Sequence, residues 1–248
     1  MASETRDPKF PYPERFQFGR HSLSAAEVLG LLENVLTPER QERIRQAVDL
    51  RTVNLVPVLE NIYDRGNISA VLRSAEAMGC QQAHVIELGE RFKNANRVTQ
   101  GADKWVDVTK WKSTRECTRH LKSLGYQICA THLDAKAKPI GEIDFTRPTA
   151  IVFGNEKDGI SPEMIEEADH TVIIPMHGFV QSFNISVAGA ISLYHAYCDR
   201  MRKLGHHGDL TEEQKLILRA EFSMRSSKNP ERMIEEILIR RERAPAEA

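Results

Sequence analysis

The stretch NLVPVLENIYDRGNISAVLRSAEAMG, residues 54–79, decides how this chain folds. Its first seven residues are mostly apolar and rich in valine and leucine, which is typical of a strand buried on both faces. From Asn67 to Met78 the apolar side chains recur at helical spacing, and Gly79 ends the pattern. A buried strand followed directly by an amphipathic helix predicts one strand–helix unit of a parallel sheet.

The same alternation continues along the chain to about residue 174. Short apolar runs predict further strands, and the segments between them predict helices. The predicted strands are 54–60, 83–88, 127–132, 149–153 and 171–174, and the predicted helices among them are 67–78, 114–124 and 161–168. We therefore expect an α/β fold, a parallel sheet with helices on both faces.

Patterns of a different character lie on either side of this core. Residues 1–22 have no period and predict a loosely held arm, and helix-start patterns follow at Ser24 and at Thr37. After the core, 211–222 and 230–243 predict two charged, amphipathic helices. The predicted organisation is an N-terminal arm and helical extension over 1–52, a central domain over 53–204 and a helical tail over 205–248.

The long helix predicted from Ile185 onward carries one apolar stripe. The members of the stripe recur at steps of four and three residues: Val187, Ile191, Tyr194, Cys198 and Met201. Such a stripe either packs on the sheet or forms the seam of a dimer, and both interpretations stay open.

The composition excludes several classes of protein. The 248 residues carry a formal net charge of −1, with 41% hydrophobic and 28% charged side chains. No apolar run approaches the roughly 18 residues that a membrane-spanning helix needs. The four cysteines form no CxxC pair, which indicates free thiols in a reducing compartment and no zinc site. We expect a cytoplasmic protein that binds neither a metal nor a membrane.

The charge is distributed unevenly along the chain. From Arg91 to Lys122, nine Lys and Arg residues oppose three acidic residues, a net charge of +6, and both tryptophans lie among them. A solvated helix face with a loop is one interpretation, and a surface for nucleic-acid phosphates is the other.

Familiar site motifs are absent, but three polar clusters stand in apolar surroundings. GxGxxG after the first strand, GxxxxGK[ST], GxSxG and HExxH do not occur. The clusters are 61–79, 150–162 and 172–188. The first contains Asn67, predicted as the N-cap of its helix, and Arg73, which could form a surface ion pair with Glu76. The second places Glu156 at the carboxyl end of a strand, and the third places Asn184 as a helix N-cap.

Taken in this order, the runs NIYDRGNISAVLRSAEAMG, FGNEKDGIS and IIPMHGFVQSFNISVA resemble the three signature motifs of the SpoU/TrmH family of SPOUT RNA 2′-O-ribose methyltransferases. GADKWVDV at 101–108 and ICATHL at 128–133 make the chain most similar to the TrmH type. The resemblance implies a deep trefoil knot in the C-terminal part of the sheet, with S-adenosylmethionine bound in the knot. It also implies a homodimer whose site draws on both chains, and methylation of guanosine 18 in the tRNA D-loop.

The resemblance also assigns roles to particular residues. The positions that match the family's catalytic residues are Asn67, Arg73, Glu156, Ser182 and Asn184. Those that match its methyl-donor site are Thr131, Gly154, Ile174, Met176 and Phe183. The basic residues expected to contact the RNA are Arg91, Lys93, Arg97, Lys104 and Lys112. Two departures bear on fit, since Asp64-Arg-Gly66 replaces a Lys-Pro-His lead-in and Phe183 replaces a leucine.

Two alternative functions remain at this point. One is the same chemistry on ribosomal RNA. The other is a non-catalytic RNA-binding member of the family, against which stands the retention of Asn67, Arg73, Glu156 and Asn184.

Overall fold

The computed structural model describes residues 7–88 and 104–243. In chain order the elements are β1 (Arg15–Phe18), β2 (His21–Ser24), α1 (Ala25–Leu32), α2 (Pro38–Asp49), β3 (Leu55–Glu60), α3 (Arg65–Ala77), β4 (Gln82–Ile86), β5 (Asp107–Trp111), α4 (Thr114–Ser123), β6 (Gln127–Thr131), β7 (Lys138–Pro139), β8 (Thr149–Phe153), α5 (Pro162–Glu167), β9 (His170–Ile173), α6 (Ile185–Leu204), α7 (Glu212–Ser226) and α8 (Pro230–Arg243). They form two compact units. The sheet unit is Arg51–Asp209, and the helical unit combines the residues up to Leu50 with those from Leu210 onward. The domain boundaries at residues 52 and 204 stay a prediction.

The sheet unit is built on seven strands in the order β5-β4-β3-β8-β6-β9-β7. Every neighbouring pair is parallel, so all seven carboxyl ends lie at one edge. The five strands predicted from the sequence correspond to β3, β4, β6, β8 and β9. The three predicted helices among them correspond to α3, α4 and α5.

Helices cover both faces of this sheet. On β3, Leu55 and Leu59 face the core that α3 and α6 close, whereas Val56 and Val58 face the core that α4 and α5 close. All four side chains are fully buried. Burial of each such side chain contributes about 1.5–3 kcal/mol, which is why a strand with two buried faces is almost entirely apolar. The predicted α/β fold with helices on both faces is confirmed.

The start of α3 differs from the prediction. Asp64, not Asn67, is the N-cap, and its side chain accepts a hydrogen bond from the backbone nitrogen of Gly66 at 2.7 Å. The helix therefore begins at Arg65, two residues before Asn67. The prediction was wrong because Asp and Asn cap helices equally well and both precede the apolar face. Asn67 lies in the first turn, where its side chain is available for other contacts.

The face of α6 that packs on the sheet differs from the predicted apolar stripe. Asn184 caps it as predicted, and Gly205, with a φ of +77°, ends it. The face toward the sheet consists of Ile185, Gly189, Leu193 and Ala196. The predicted stripe points elsewhere: Val187, Tyr194, Cys198 and Met201 are exposed and Ile191 is partly buried. The interpretation that this stripe packs on the sheet is wrong.

Two strands and one hairpin were missed in the sequence. β5 and β7 are the edge strands, and their mostly polar sequences carry no buried-strand pattern because none of their side chains is fully buried. The prediction of a loosely held arm is wrong for residues 7–22, because they contain β1 and the first half of β2, which pair as a hairpin. Its apolar anchors are buried: Phe10, Tyr12, Phe16 and Phe18. Spacing of two over only four residues is too short a signal to separate from an irregular arm.

The helical unit follows its sequence signals closely. Ser24 and Glu27 form the predicted capping box of α1, and Thr37 caps α2 with Pro38 at its first position. Thr211 caps α7 through a second capping box, with Gln214 as its partner. None of the described helices combines the length and apolar character needed to cross a membrane.

A largely buried carboxylate, Asp209, lies at the end of the sheet unit, where the strands begin. Asp209 accepts hydrogen bonds from Arg200 at 2.8 Å, the Val53 backbone nitrogen at 3.0 Å and the Asn54 amide at 2.9 Å. It also accepts from the Thr52 hydroxyl. The Arg200 side chain is 2% exposed, so Asp209 balances a fully buried charge.

We expect Asp209→Ala to lower the free energy of unfolding by about 3–5 kcal/mol, because it leaves a buried arginine without its counter-charge. Urea unfolding followed by circular dichroism measures this loss. The control is Asp144→Ala, which removes the exposed partner of Lys203 and should cost less than about 1 kcal/mol. Equal losses for the two variants would contradict the expectation.

Candidate active site

The loops after three neighbouring strands, β8, β6 and β9, enclose a cavity of about 360 Å³ at the carboxyl edge of the sheet. This edge is where open α/β sheets bind ligands. The volume lies in the range of small-molecule sites, roughly 300–1,000 Å³. The lining consists of Thr131, His132, Leu133, Phe153, Gly154, Asn155, Glu156, Gly159, Val172, Ile173, Ile174, Met176, Gln181, Ser182, Phe183, Asn184, Ile185 and Ala188.

The predicted methyl-donor residues meet in this cavity. Every one of them lines it: Thr131, Gly154, Ile174, Met176 and Phe183. Three of the predicted catalytic residues line it too: Glu156, Ser182 and Asn184. Further apolar walls come from Leu133 and Ala188, which the motif comparison missed because they flank the matched positions.

The loop 154–159 has a shape that leaves no room for a side chain on Gly154. A Cβ there would overlap the backbone of Gly159 and Ile160. Asn155 and Gly159 exchange two backbone hydrogen bonds of 3.1 and 3.0 Å, and Gly159 has a φ of +69°. The Asn155 side chain accepts from the backbone nitrogens of Lys157 and Asp158 at 2.9 and 2.7 Å. The loop is therefore a closed, self-bonded turn at the wall of the cavity.

A buried carboxylate holds this loop from beneath. Glu60, at the end of β3, is 1% exposed. It accepts from the hydroxyl of Ser161 at 2.8 Å, from the backbone nitrogen of Ser161 at 2.8 Å and from the Thr114 hydroxyl at 2.6 Å. Sequence reasoning missed Glu60, although an acidic residue directly after a buried strand is the available signal.

Three side chains from separate parts of the sequence form a hydrogen-bonded chain beside the cavity. The Asn67 amide nitrogen donates to Glu156, and the Asn184 amide nitrogen donates to the Asn67 carbonyl oxygen at 3.2 Å. The Asn184 carbonyl oxygen accepts from the Ser186 backbone nitrogen at 2.8 Å. Asn67 is 7% exposed, whereas Glu156 and Asn184 are exposed. Each amide has its orientation set by both neighbours, so the chain presents a fixed polar surface.

We expect Asn184→Ser to keep the fold and to lower methyl transfer roughly tenfold, because serine retains the cap but its shorter side chain does not reach Asn67. Turnover with saturating substrates, measured beside the melting temperature, separates the two roles. Unchanged turnover would show that Asn184 is only a helix cap. The control is Thr37→Ser, which replaces one capping residue with another at α2, away from the cavity.

Arg73 is the predicted catalytic residue that this site does not include. It is exposed on α3, does not line the cavity, and makes no hydrogen bond or ion pair with any described residue. The alternative ion pair with Glu76 is not formed, because Glu76 binds Arg51 at 3.0 Å. Glu156 binds Asn67 instead of Arg73.

The predicted RNA contacts are only partly described. Arg91, Lys93 and Arg97 lie outside the described residues, and Lys104 and Lys112 are exposed. Several other cations of the same stretch are held in ion pairs: Lys110 with Glu87, Arg115 with Glu163 and Lys122 with Glu167. Within residues 104–122, fewer cations are therefore available to contact RNA than the net charge of +6 suggests.

The side chains around the cavity suit positioning and polar contacts. In the described ranges, no group of three or more potential metal ligands is found. Burial raises the pKa of Cys80, Cys117 and Cys129 each to about 12, so these thiols are protonated at neutral pH and are weak nucleophiles. Asn67, Glu156 and Asn184 instead offer amide and carboxylate groups that orient a polar ligand.

Comparison with known proteins identifies the class. The model of the SpoU rRNA Methylase family matches residues 54–194, and the chain belongs to this family of methyltransferases. A relative from Borreliella burgdorferi, a tRNA (guanosine(18)-2′-O)-methyltransferase, is 38% identical over 201 residues, 81% of this chain and 92% of its own. The crystal structure of an Aquifex aeolicus TrmH/SpoU tRNA modifying enzyme covers 80% of this chain and 100% of its own, with a TM-score of 0.69 and 32% identity. The SpoU methyltransferase AviRb from Streptomyces viridochromogenes, in complex with the cofactor AdoMet, is 25% identical, covers 62% of both chains and has a TM-score of 0.53.

Proposed function

We propose that this protein transfers a methyl group from S-adenosylmethionine to a ribose 2′-hydroxyl of RNA, at guanosine 18 in the tRNA D-loop. One observation carries the proposal: the hydrogen-bonded chain Glu156–Asn67–Asn184 stands beside the cavity that all five predicted methyl-donor residues line. The tRNA (guanosine(18)-2′-O)-methyltransferase of B. burgdorferi supports the choice of nucleotide.

The cavity fits S-adenosylmethionine in size and chemistry. Its volume of about 360 Å³ is combined with apolar walls from Ile174, Met176 and Phe183 and with hydroxyls from Thr131 and Ser182. These residues and the Gly154 turn would hold the cofactor, which when bound supplies an electrophilic methyl group on a sulfonium. The AviRb complex with AdoMet supports this assignment. We also propose that this part of the chain forms the deep trefoil knot that the family resemblance implies.

The protein acts as a homodimer whose seam is the exposed stripe on α6. Val187 is 44% exposed, Tyr194 58% and Met201 38%, although each is apolar or aromatic. With Ile191 and Cys198 between them, they recur at steps of four and three residues, which places all five on one face of the helix, the pattern of a helix–helix seam. Exposed apolar residues aligned in this way are typical of an interaction surface. A second copy of the same helix is the partner that the pattern fits.

The dimer explains where Arg73 acts. The α3 helix packs tightly against α6, since a Cβ on Gly189 would lie 2.9 Å from a methyl carbon of Val71. Arg73 is two residues from Val71, exposed and without a partner among the described residues. Residues two apart on a helix point to different sides, so both Arg73 and the α6 stripe face away from the α3–α6 contact and are open to a partner subunit. We place Arg73 of the partner subunit in the site that Asn67, Glu156 and Asn184 form.

Arg73 serves as a clamp on the RNA. A guanidinium is a poor proton acceptor, so Arg73 is not the base that takes the proton of the hydroxyl. It does bind phosphate oxygens bidentately, and its charge favours ionisation of a nearby 2′-hydroxyl, whose proton passes to the phosphate. Holding the hydroxyl in line with the methyl group contributes up to roughly 7–11 kcal/mol of the catalytic effect.

Exposed cations extend the RNA surface beyond the cavity. Lys104 and Lys112, together with Arg91, Lys93 and Arg97, are the proposed contacts to the tRNA backbone. Binding through phosphates weakens steeply as the salt concentration rises. With tRNA as its substrate, the protein works in the cytoplasm.

Methyl transfer from labelled S-adenosylmethionine tests the function. Total tRNA and ribosomal RNA are offered separately, and nuclease digestion identifies the product. The expected product is 2′-O-methylguanosine in tRNA. The family description names rRNA, and label in ribosomal RNA alone would favour that substrate. Absence of label in both would favour the non-catalytic RNA-binding alternative.

A further inference from the structure

Tyr63 stands between β3 and α3 with half of its surface exposed. Its side chain takes no part in the hydrogen-bonded chain Glu156–Asn67–Asn184, but its hydroxyl makes two contacts of its own. The Tyr63 hydroxyl donates to Asp158 at 3.4 Å and accepts from the Asn61 amide at 3.5 Å. Asn61 has a φ of +53°, in the left-handed region that residues other than glycine seldom adopt. The tyrosine thus follows a residue with left-handed backbone conformation, directly after the central strand β3.

The position of Tyr63 is tied to the active site through one loop. Asp158, its hydrogen-bond partner, lies two residues after Glu156 in the turn 154–159. Asn67, four residues after Tyr63, binds Glu156 of the same turn. Tyr63 and Asn67 therefore both contact the turn 154–159, Tyr63 through Asp158 and Asn67 through Glu156.

The chemistry around the ring suits a nucleotide. The two hydrogen bonds are long and involve only the hydroxyl, which leaves the faces of the ring to other contacts. Lys157, next to Asp158, is exposed and makes no side-chain hydrogen bond or ion pair within the part of the chain that the structure describes. An exposed aromatic ring, with an unpaired cation on the loop that its hydroxyl contacts, is a combination suited to unstacked bases and their phosphates.

We propose that Tyr63 is a substrate-binding residue, whose ring stacks on the base of the nucleotide that enters the site. The inference rests on the proposed function, since it requires an RNA substrate. Stacking explains why the ring is anchored by its hydroxyl at the edge of the site and not buried. If the ring stacks on a base, Tyr63 contributes to the affinity for RNA but not to the affinity for S-adenosylmethionine.

Steady-state kinetics with Tyr63→Leu and Tyr63→Phe test the inference. Leucine keeps an apolar side chain but cannot stack, so we expect the KM for tRNA to rise about tenfold. Phenylalanine keeps the ring and should restore the KM for tRNA to within about twofold, because only the two long hydrogen bonds are lost. The KM for S-adenosylmethionine and the sedimentation of the dimer should stay the same in both variants.

A fluorescent base gives a readout independent of turnover. A D-loop hairpin RNA with 2-aminopurine at the target position should lose fluorescence on binding wild type and Tyr63→Phe, and lose less with Tyr63→Leu. If the wild type methylates tRNA and Tyr63→Leu has the same KM for tRNA, this inference is overturned and the proposed function stands. Dissociation of the dimer in Tyr63→Leu would also overturn it, since the ring would then contact the partner subunit. A wild type that methylates no RNA overturns the proposed function and this inference together.

Discussion

A mixed dimer of one Arg73→Ala chain and one Asn67→Ala chain regains about half of the wild-type methyl transfer, because one of its two sites is intact. Each variant alone is expected to lose roughly a hundredfold or more of its turnover, the scale seen when a group that stabilises the transition state is removed. In the mixed dimer, the wild-type Arg73 of the Asn67→Ala chain meets the wild-type Asn67 of its partner. Co-expression of chains with two different tags isolates the mixed dimer for the assay.

This prediction separates a shared site from two self-contained ones. If each chain used its own Arg73, both sites of the mixed dimer would lack one residue and no activity would return. That outcome would contradict the placement of the partner subunit's Arg73 in the site. A dimer of one Arg73→Ala chain and one wild-type chain is the control, and it should also keep about half of the activity. Arg73→Lys should stay close to Arg73→Ala, since an ammonium lacks the bidentate fork.

Gly154→Ala is the second change with a large expected effect. Its new methyl group would overlap the backbone of Gly159 and Ile160, and backbone in a closed turn cannot move aside without opening the turn. Opening the turn shifts Glu156 away from Asn67 and deforms the cavity wall. We expect the affinity for S-adenosylmethionine to fall roughly a hundredfold, about 2.7 kcal/mol at 1.36 kcal/mol per factor of ten. Isothermal titration calorimetry with the cofactor measures this loss.

The matched control for Gly154→Ala is Gly178→Ala. Gly178 lies in the loop between β9 and α6, and a Cβ there would meet nothing within 4 Å. Cofactor affinity should therefore stay close to that of wild type. Equal affinity of Gly154→Ala and wild type would show that the turn can widen without cost to the cavity.

The sequence predicts the core of the sheet well because its strands are buried on both faces. Leu55 to Leu59 must be apolar on both sides, and this produces a run that no surface segment shares. The edge strand β5 carries Asp107, Thr109 and Lys110, and nothing in such a run distinguishes a strand from a loop. Local patterns thus find central strands and miss edge strands.

The candidate site shows a similar division. Its cavity residues follow from motif order, because parallel strands bring their carboxyl ends together whatever their separation in sequence. The Asn67–Glu156 contact joins residues 89 positions apart, and no local pattern reports such a contact. Asn67 was mistaken for a helix cap for this reason, since its nearest sequence signal is the start of α3. Arg73 shows the remaining limit, because its proposed contacts lie in a second chain.

The reaction proposed for this chain is methylation of the 2′-hydroxyl of guanosine 18 in tRNA. Two tRNAs identical in sequence, one with guanosine and one with 2′-deoxyguanosine at position 18, test it most directly with labelled S-adenosylmethionine. We expect label in the first tRNA and none in the second, because the second lacks the acceptor oxygen. Equal label in both tRNAs would contradict it, since the methyl group would then reside on another atom.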